Sequence, residues 1–163
     1  MNRTLITLAL ILALGIAPAQ AKVVNLEGFI DTKLVESVQS QLESGDTLNL
    51  NSLGGYLEPA SRLAEFVRAI GINTQVRSTA VCQSSCVLIF AAGGERRAGI
   101  NAMFLIHLGR DSQGNILPGA TEWFVGKLFE YGVNELLALF PSGSDGINLN
   151  YWQARTVNLI NAD

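Results

Sequence analysis

Thr47-Leu48-Asn49-Leu50-Asn51-Ser52-Leu53-Gly54-Gly55 reads as a short strand that runs straight into a paired-glycine turn. Leu48 and Leu50 alternate with polar residues, the two-residue period of a strand with one buried face. The glycines let the backbone approach a ligand closely and point its amides outward. A tight strand-to-helix turn with no ligand has the same sequence, so the stretch acquires meaning only from what surrounds it.

Downstream, Leu57 to Ile70 carries Ala60, Leu63, Ala64, Val67 and Ile70 on one helical face and stops at Gly71. Upstream, Val23 to Ile30 reads as a strand. Asp31 or Thr32 caps a helix running to about Glu43, which Ser44-Gly45-Asp46 ends. Asn73 to Arg77 is a third strand. It is followed by Ala80-Val81-Cys82-Gln83-Ser84-Ser85-Cys86 and by Val87 to Ala92, which is apolar all round and therefore a buried helix. Met103 to Ile106 is a buried strand that delivers His107 at its end. After a loop from Gly109 to Gly119, a helix covers Thr121 to Tyr131. Asn134 caps a short helix through Phe140, Pro141 to Gly146 is a loop, and Asn150 caps a final helical piece. Strands and helices alternate, which predicts an α/β domain with a mostly parallel sheet.

Two further segments lie, like the glycine turn, where a strand ends. Ser84 sits at a strand-to-helix junction, where a hydroxyl can be exposed near free helical amides or can simply cap the helix. His107 is the only histidine, so any serine–histidine chemistry must use it. A general base near neutral pH is the task to which histidine is best suited, and a hydrogen-bonded core histidine is the bland alternative.

Taken together, N-S-x-G-G at residues 51–55, the C-x-S-x-C turn at 82–86, the helix ending Ala91-Ala92-Gly93, then Arg96 and Arg97, then an apolar strand ending in His107 resemble the ClpP/crotonase superfamily. The likeness is strongest to the small exported ClpP-like serine-peptidase-like proteins of bacteria. The resemblance runs from about Val24 to the C-terminus and is tightest from Leu48 to His107. It implies a ClpP/crotonase-like fold of repeated β-β-α units. It also implies Ser84 as nucleophile, His107 as base, and an oxyanion hole drawn from Gly54 or Gly55 and the amide of Ser85. Counting back from Ala91-Ala92-Gly93 favours Ser84 over Ser85. The acidic partner is expected in a loop before the last helix, where Asp145 is the best-placed carboxylate. Asp111 is close in sequence to His107 and would need its loop to fold back.

The chain departs from the ClpP pattern at Leu53, where proline is usual, and at Cys82 and Cys86, which flank the nucleophile. These two cysteines can form a disulfide across a turn or remain buried thiols. With one histidine they give at most three metal ligands, so a metal site is not expected. Nor does the chemistry need a cofactor.

Met1-Asn2-Arg3, the apolar run Leu5 to Ile16, and Pro18-Ala19-Gln20-Ala21 have the layout of a secretory signal cleaved after Ala21. That layout leaves residues 22–163 as one domain, periplasmic or secreted, with no stable membrane span. Removing Arg3 takes the formal charge from −3 to −4, and without a basic run nucleic acid is a poor partner. The expected function is a periplasmic serine hydrolase, a peptidase acting on peptide or protein substrates through an acyl-enzyme. Self-association into a homo-oligomer is implied by the resemblance alone. The competing reading is a catalytically inactive ClpP-fold binding or assembly protein. Acyl-CoA chemistry of the crotonase kind ranks lower, because coenzyme A belongs inside the cell.

Overall fold

The computed structural model describes residues 20–107, 109–111, 113, 115–134 and 146–163. The chain order is β1 (Val23–Glu27), α1 (Thr32–Gln39), β2 (Thr47–Asn51), α2 (Leu57–Ala69), β3 (Asn73–Val76), β4 (Val81–Gln83), α3 (Ser85–Ala91), β5 (Arg96–Ala98), β6 (Met103–His107), α4 (Ala120–Glu130), β7 (Gly146–Leu149) and α5 (Tyr151–Thr156).

The strands form two sheets. One is four-stranded, in the order β1-β2-β3-β5, and parallel throughout. In the other, β6 lies between β4, which it pairs in parallel, and β7, which it pairs antiparallel. The chain leaving β2 stitches the sheets together: Ser52 N–H donates to Val81 O at 2.9 Å and Gln83 N–H to Ser52 O at 3.0 Å. The expected mixed α/β architecture with a mostly parallel sheet is therefore present.

Local chemistry explains the element ends. Asp31, not Thr32, caps α1 by accepting the Leu34 N–H at 2.8 Å. The helix stops at Gln39, short of the Glu43 expected from its apolar spacing, because the next bonds tighten to the i−3 carbonyl: Gln41 N–H to Val38 O and Leu42 N–H to Gln39 O. Asn150 and Gln153 cap α5 reciprocally, a complete capping box. Strand β1 ends at Glu27, and Ile30 survives as an isolated bridge to Gly55.

Helix α3 is buried over its whole length, as its apolar sequence predicts. It packs between α2 and the strands, with Phe90 against Phe104 at a ring separation of 4.9 Å. A fully encircled helix makes a stiff support, since interiors pack as densely as organic crystals. Its N-terminus carries the candidate nucleophile. Among the described residues no helix is long and apolar enough to cross a membrane. Beyond its expected cap Asn134, the helix expected through Phe140 lies outside the described residues, as does the candidate acid Asp145.

Candidate active site

Parallel strands deliver their C-terminal ends to one edge, and here β2, β4 and β6 deliver three segments of interest. Gln83 of β4 is in register with Leu105 of β6. The next residue, Ser84, continues that pairing by donating its N–H to Leu105 O at 2.7 Å. The serine is thereby fixed beside β6, two residues before His107 on the same strand.

Ser84 has φ 54° and ψ −128°, a conformation that residues with a Cβ rarely adopt. Such a backbone costs on the order of 1–3 kcal/mol and persists only where its surroundings impose it. It occupies the N-cap position of α3, yet its side chain makes no capping bond. The hydroxyl is not spent on the helix, and the bland capping account does not describe it. Ser85 differs: its Oγ donates to Gly55 O at 3.2 Å.

Cys82 on β4 and Cys86 in the first turn of α3 are joined by a disulfide, with Cα atoms 5.3 Å apart. A separation of four residues is awkward inside a helix. Here the chain reverses at Ser84, so the bridge spans the turn and encloses Gln83, Ser84 and Ser85. Both cysteines are fully buried, which makes the staple part of the core.

The glycine turn packs directly on this elbow. A Cβ on Gly54, whose φ is +97°, would lie 2.7 Å from Ser84 Cβ and 2.8 Å from Gln83 O. Ser52, a residue the sequence did not single out for chemistry, fixes the turn: its Oγ donates to Gly28 O and accepts the Gly54 N–H at 3.0 Å. The Gly54 amide is thus occupied, whereas the described residues give the Gly55 N–H no acceptor. The Ser85 N–H opens α3 and has no intrahelical partner. Gly54→Ala should lower stability by about 1–3 kcal/mol through overpacking and a forced positive φ. Urea unfolding would measure it, and an unchanged midpoint would contradict the close approach.

Ser84, Ser85, His107, Gly55, Arg110 and Asp111 line one cleft of about 420 Å³. Gly55, Ser84, Ser85 and His107 are thus brought together as expected, while Gly54 lies against the back of Ser84. The loop after His107 does fold back and brings Asp111 to the cleft. Its carboxylate, however, accepts the N–H groups of Gln113 and Asn115 at 2.8 and 2.9 Å, and Asn115 Nδ2 at 2.9 Å, closing its own loop. Arg110 was not marked by any motif in the sequence. Gly146, next in the chain to Asp145, is the antiparallel partner of His107. A Cβ on Gly146 would sit 2.9 Å from His107 Cα, so only glycine fits there without displacement.

No family model matches the sequence, and no curated protein matches it. In three dimensions the chain is similar to a point mutant of ClpP1 from Listeria monocytogenes, with a TM-score of 0.64. The likeness covers 86% of this chain and 89% of that one at 17% identity. The fold is ClpP-like. Within a ClpP-like fold, the strand-end cleft holding Ser84 and His107 is where the sequence resemblance places the active centre.

Proposed function

We propose that this chain is an exported serine hydrolase, a peptidase that works through an acyl-enzyme. The observation that carries the reading is Ser84 itself: a strained serine whose hydroxyl does not cap its helix, on one cleft with the sole histidine. A serine on a sharp strand-to-helix turn presents its hydroxyl at the mouth of the sheet.

The chemistry runs as follows. His107 takes the Ser84 Oγ proton as that oxygen attacks the substrate carbonyl. The carbonyl oxygen becomes an anion, which the N–H groups of Gly55 and Ser85 receive. Donors of this kind are worth about 3–4 kcal/mol each in the transition state. The intermediate collapses, the C–N bond breaks, and the leaving amine takes the proton from His107. Water then attacks the acyl-serine with His107 again acting as base, releasing the acid and restoring Ser84. Asp145 is assigned to orient His107, a role supported by the pairing of its neighbour Gly146 with that histidine. No cofactor or metal takes part.

Export rests on the N-terminal pattern, with cleavage after Ala21 and residues 22–163 as the mature domain. The Cys82–Cys86 disulfide suits an oxidising compartment. Assembly into a homo-oligomer follows from the ClpP likeness and is part of the same proposal.

A fluorophosphonate probe followed by mass spectrometry tests the nucleophile on the chain starting at Lys22. Labelling is expected at Ser84 and should vanish in His107→Ala. If Ser84 stays unlabelled with the disulfide intact, the hydrolase reading fails and a non-catalytic binding protein becomes the better account.

A further inference from the structure

At the opposite edge of the parallel sheet from Ser84, a buried carboxylate holds the start of β1. Asp46 lies in the α1–β2 connection and is only 3% exposed. Its Oδ1 accepts the backbone N–H of Lys22 at 2.9 Å, and its Oδ2 accepts the Glu43 N–H at 2.8 Å. Lys22 Nζ lies 3.2 Å from the same Oδ2 and 3.4 Å from Glu43 Oε1. The Asp46 carbonyl accepts the Asn73 N–H at 2.9 Å, so one residue ties together the starts of β1, β2 and β3. The hydrolase mechanism uses none of this.

The charge count at this cluster is uneven. Two carboxylates, Asp46 and Glu43, face one ammonium, Lys22 Nζ, while the Lys22 main-chain nitrogen is a neutral amide as long as Ala21 precedes it. Gln20, Ala21 and Lys22 are all exposed, so the Ala21–Lys22 bond lies at the surface. Its hydrolysis by a leader-removing protease adds water across the C–N bond. Ala21 departs as a carboxylate, and Lys22 keeps an amine that is protonated at neutral pH.

We propose that Asp46 is the seat of the mature N-terminus, where the α-ammonium of Lys22, created by leader removal, completes a balanced cluster of two cations and two carboxylates. The inference rests on the export reading. The nitrogen is already at hydrogen-bonding distance, so no rearrangement is needed, and a bond from a neutral amide to the carboxylate becomes an ion pair in which both partners are charged. The Lys22 N–H, followed by the Glu43 N–H and the Lys22 ammonium, outweighs burial and holds the Asp46 carboxyl below its ordinary range. The folded state therefore reaches full stability only after the leader is gone, and the precursor remains easier to unfold for passage across a membrane.

Urea unfolding of two chains tests the seat: residues 22–163, and residues 20–163, in which Lys22 N is again an amide. The unfolding equilibrium constant should be about tenfold smaller for the 22–163 chain. Asp46→Asn in both chains should close the gap. Lowering the pH should close it as well, without any variant. A carboxylate with a depressed folded value contributes above its ordinary value, about 3.9, and stops contributing as pH falls through the folded one. Equal stability of the two chains at neutral pH, or a gap that persists in acid, overturns the seat. N-terminal sequencing of protein recovered from exporting cells tests the premise separately. An uncleaved N-terminus would remove the export reading, and cleavage at another bond would remove the seat, whatever the urea comparison gives.

Discussion

Ser84→Ala is expected to lower kcat on a peptide or ester substrate by roughly a million-fold, and His107→Ala by a similar factor, because nucleophile and base act as one unit. KM should change little, since neither truncation removes the walls of the cleft. The rate that remains would come from binding and from the Gly55 and Ser85 amides, which neither substitution touches. The alanine variant keeps a Cβ at φ 54°, so it inherits the strain and should fold as the parent does. Ser84→Gly separates the two effects, because glycine adopts positive φ without cost. It should be equally inactive and more stable by about 1 kcal/mol. Steady-state kinetics with urea unfolding on the three variants reads both quantities. Turnover retained in Ser84→Ala would show that the serine is not the nucleophile. A Ser84→Gly protein no more stable than its parent would show that the elbow is not strained.

Arg96→Met should cost about 3–5 kcal/mol of folding stability, the range reserved for broken buried polar networks. The Arg96 side chain is buried and lies among carbonyls. Nε donates to Leu159 O at 2.9 Å, Nη2 to Asn158 O at 2.8 Å, and Nη1 to Ala91, Gly93 and Tyr131 O at 3.3–3.4 Å. Its own N–H donates to Asn161 Oδ1 at 2.7 Å. One guanidinium thus holds the end of α3, the end of α4 and the C-terminal segment together. Two effects oppose each other on substitution. Burial, then the charge of Arg68, pull the Arg96 pKa below its ordinary value, so removing the cation recovers some desolvation. Five carbonyls, however, lose their donor, at about 1–3 kcal/mol for each that water cannot reach. Loss should win, and Arg96→Lys should rescue only in part, because a single ammonium cannot span that fork of acceptors. Urea and thermal unfolding would decide it, and a Met variant within about 1 kcal/mol of the parent would refute the clamp.

Much of the frame was legible without coordinates. The stripe on α2, the apolar α3, the strand at residues 47–51 and the caps at Asp31 and Asn150 are local signals, set by side chains a few residues apart. The order of those signals named the α/β class, and the strand ends located the cleft. Two strands were not seen, β5 with three residues and β7 with four, and β4, with three, was read only as an unbounded strand before Ser84; all are too short to display a period. They exist because partners far along the chain complete their hydrogen bonds, as Gly146 does for His107.

At the site, the sequence by itself named Ser84, His107 and the Gly54-Gly55 turn, because residue type and chain order suffice to nominate groups for chemistry. It also left cap and nucleophile as rival accounts of Ser84, and thiols and disulfide as rival accounts of Cys82 and Cys86. Tertiary structure decided how those groups are held: Ser84 hooked to β6 with its hydroxyl free of the helix, the disulfide closed over the elbow, and Ser52 occupying the Gly54 amide. It alone showed what Asp46 and Arg96 hold together. Their weight comes from burial and from carbonyls and amides far along the chain, such as Leu159, 63 residues away, for Arg96. A sequence pattern records neighbours along the chain, whereas the cost of an unpaired buried group is set by neighbours in space.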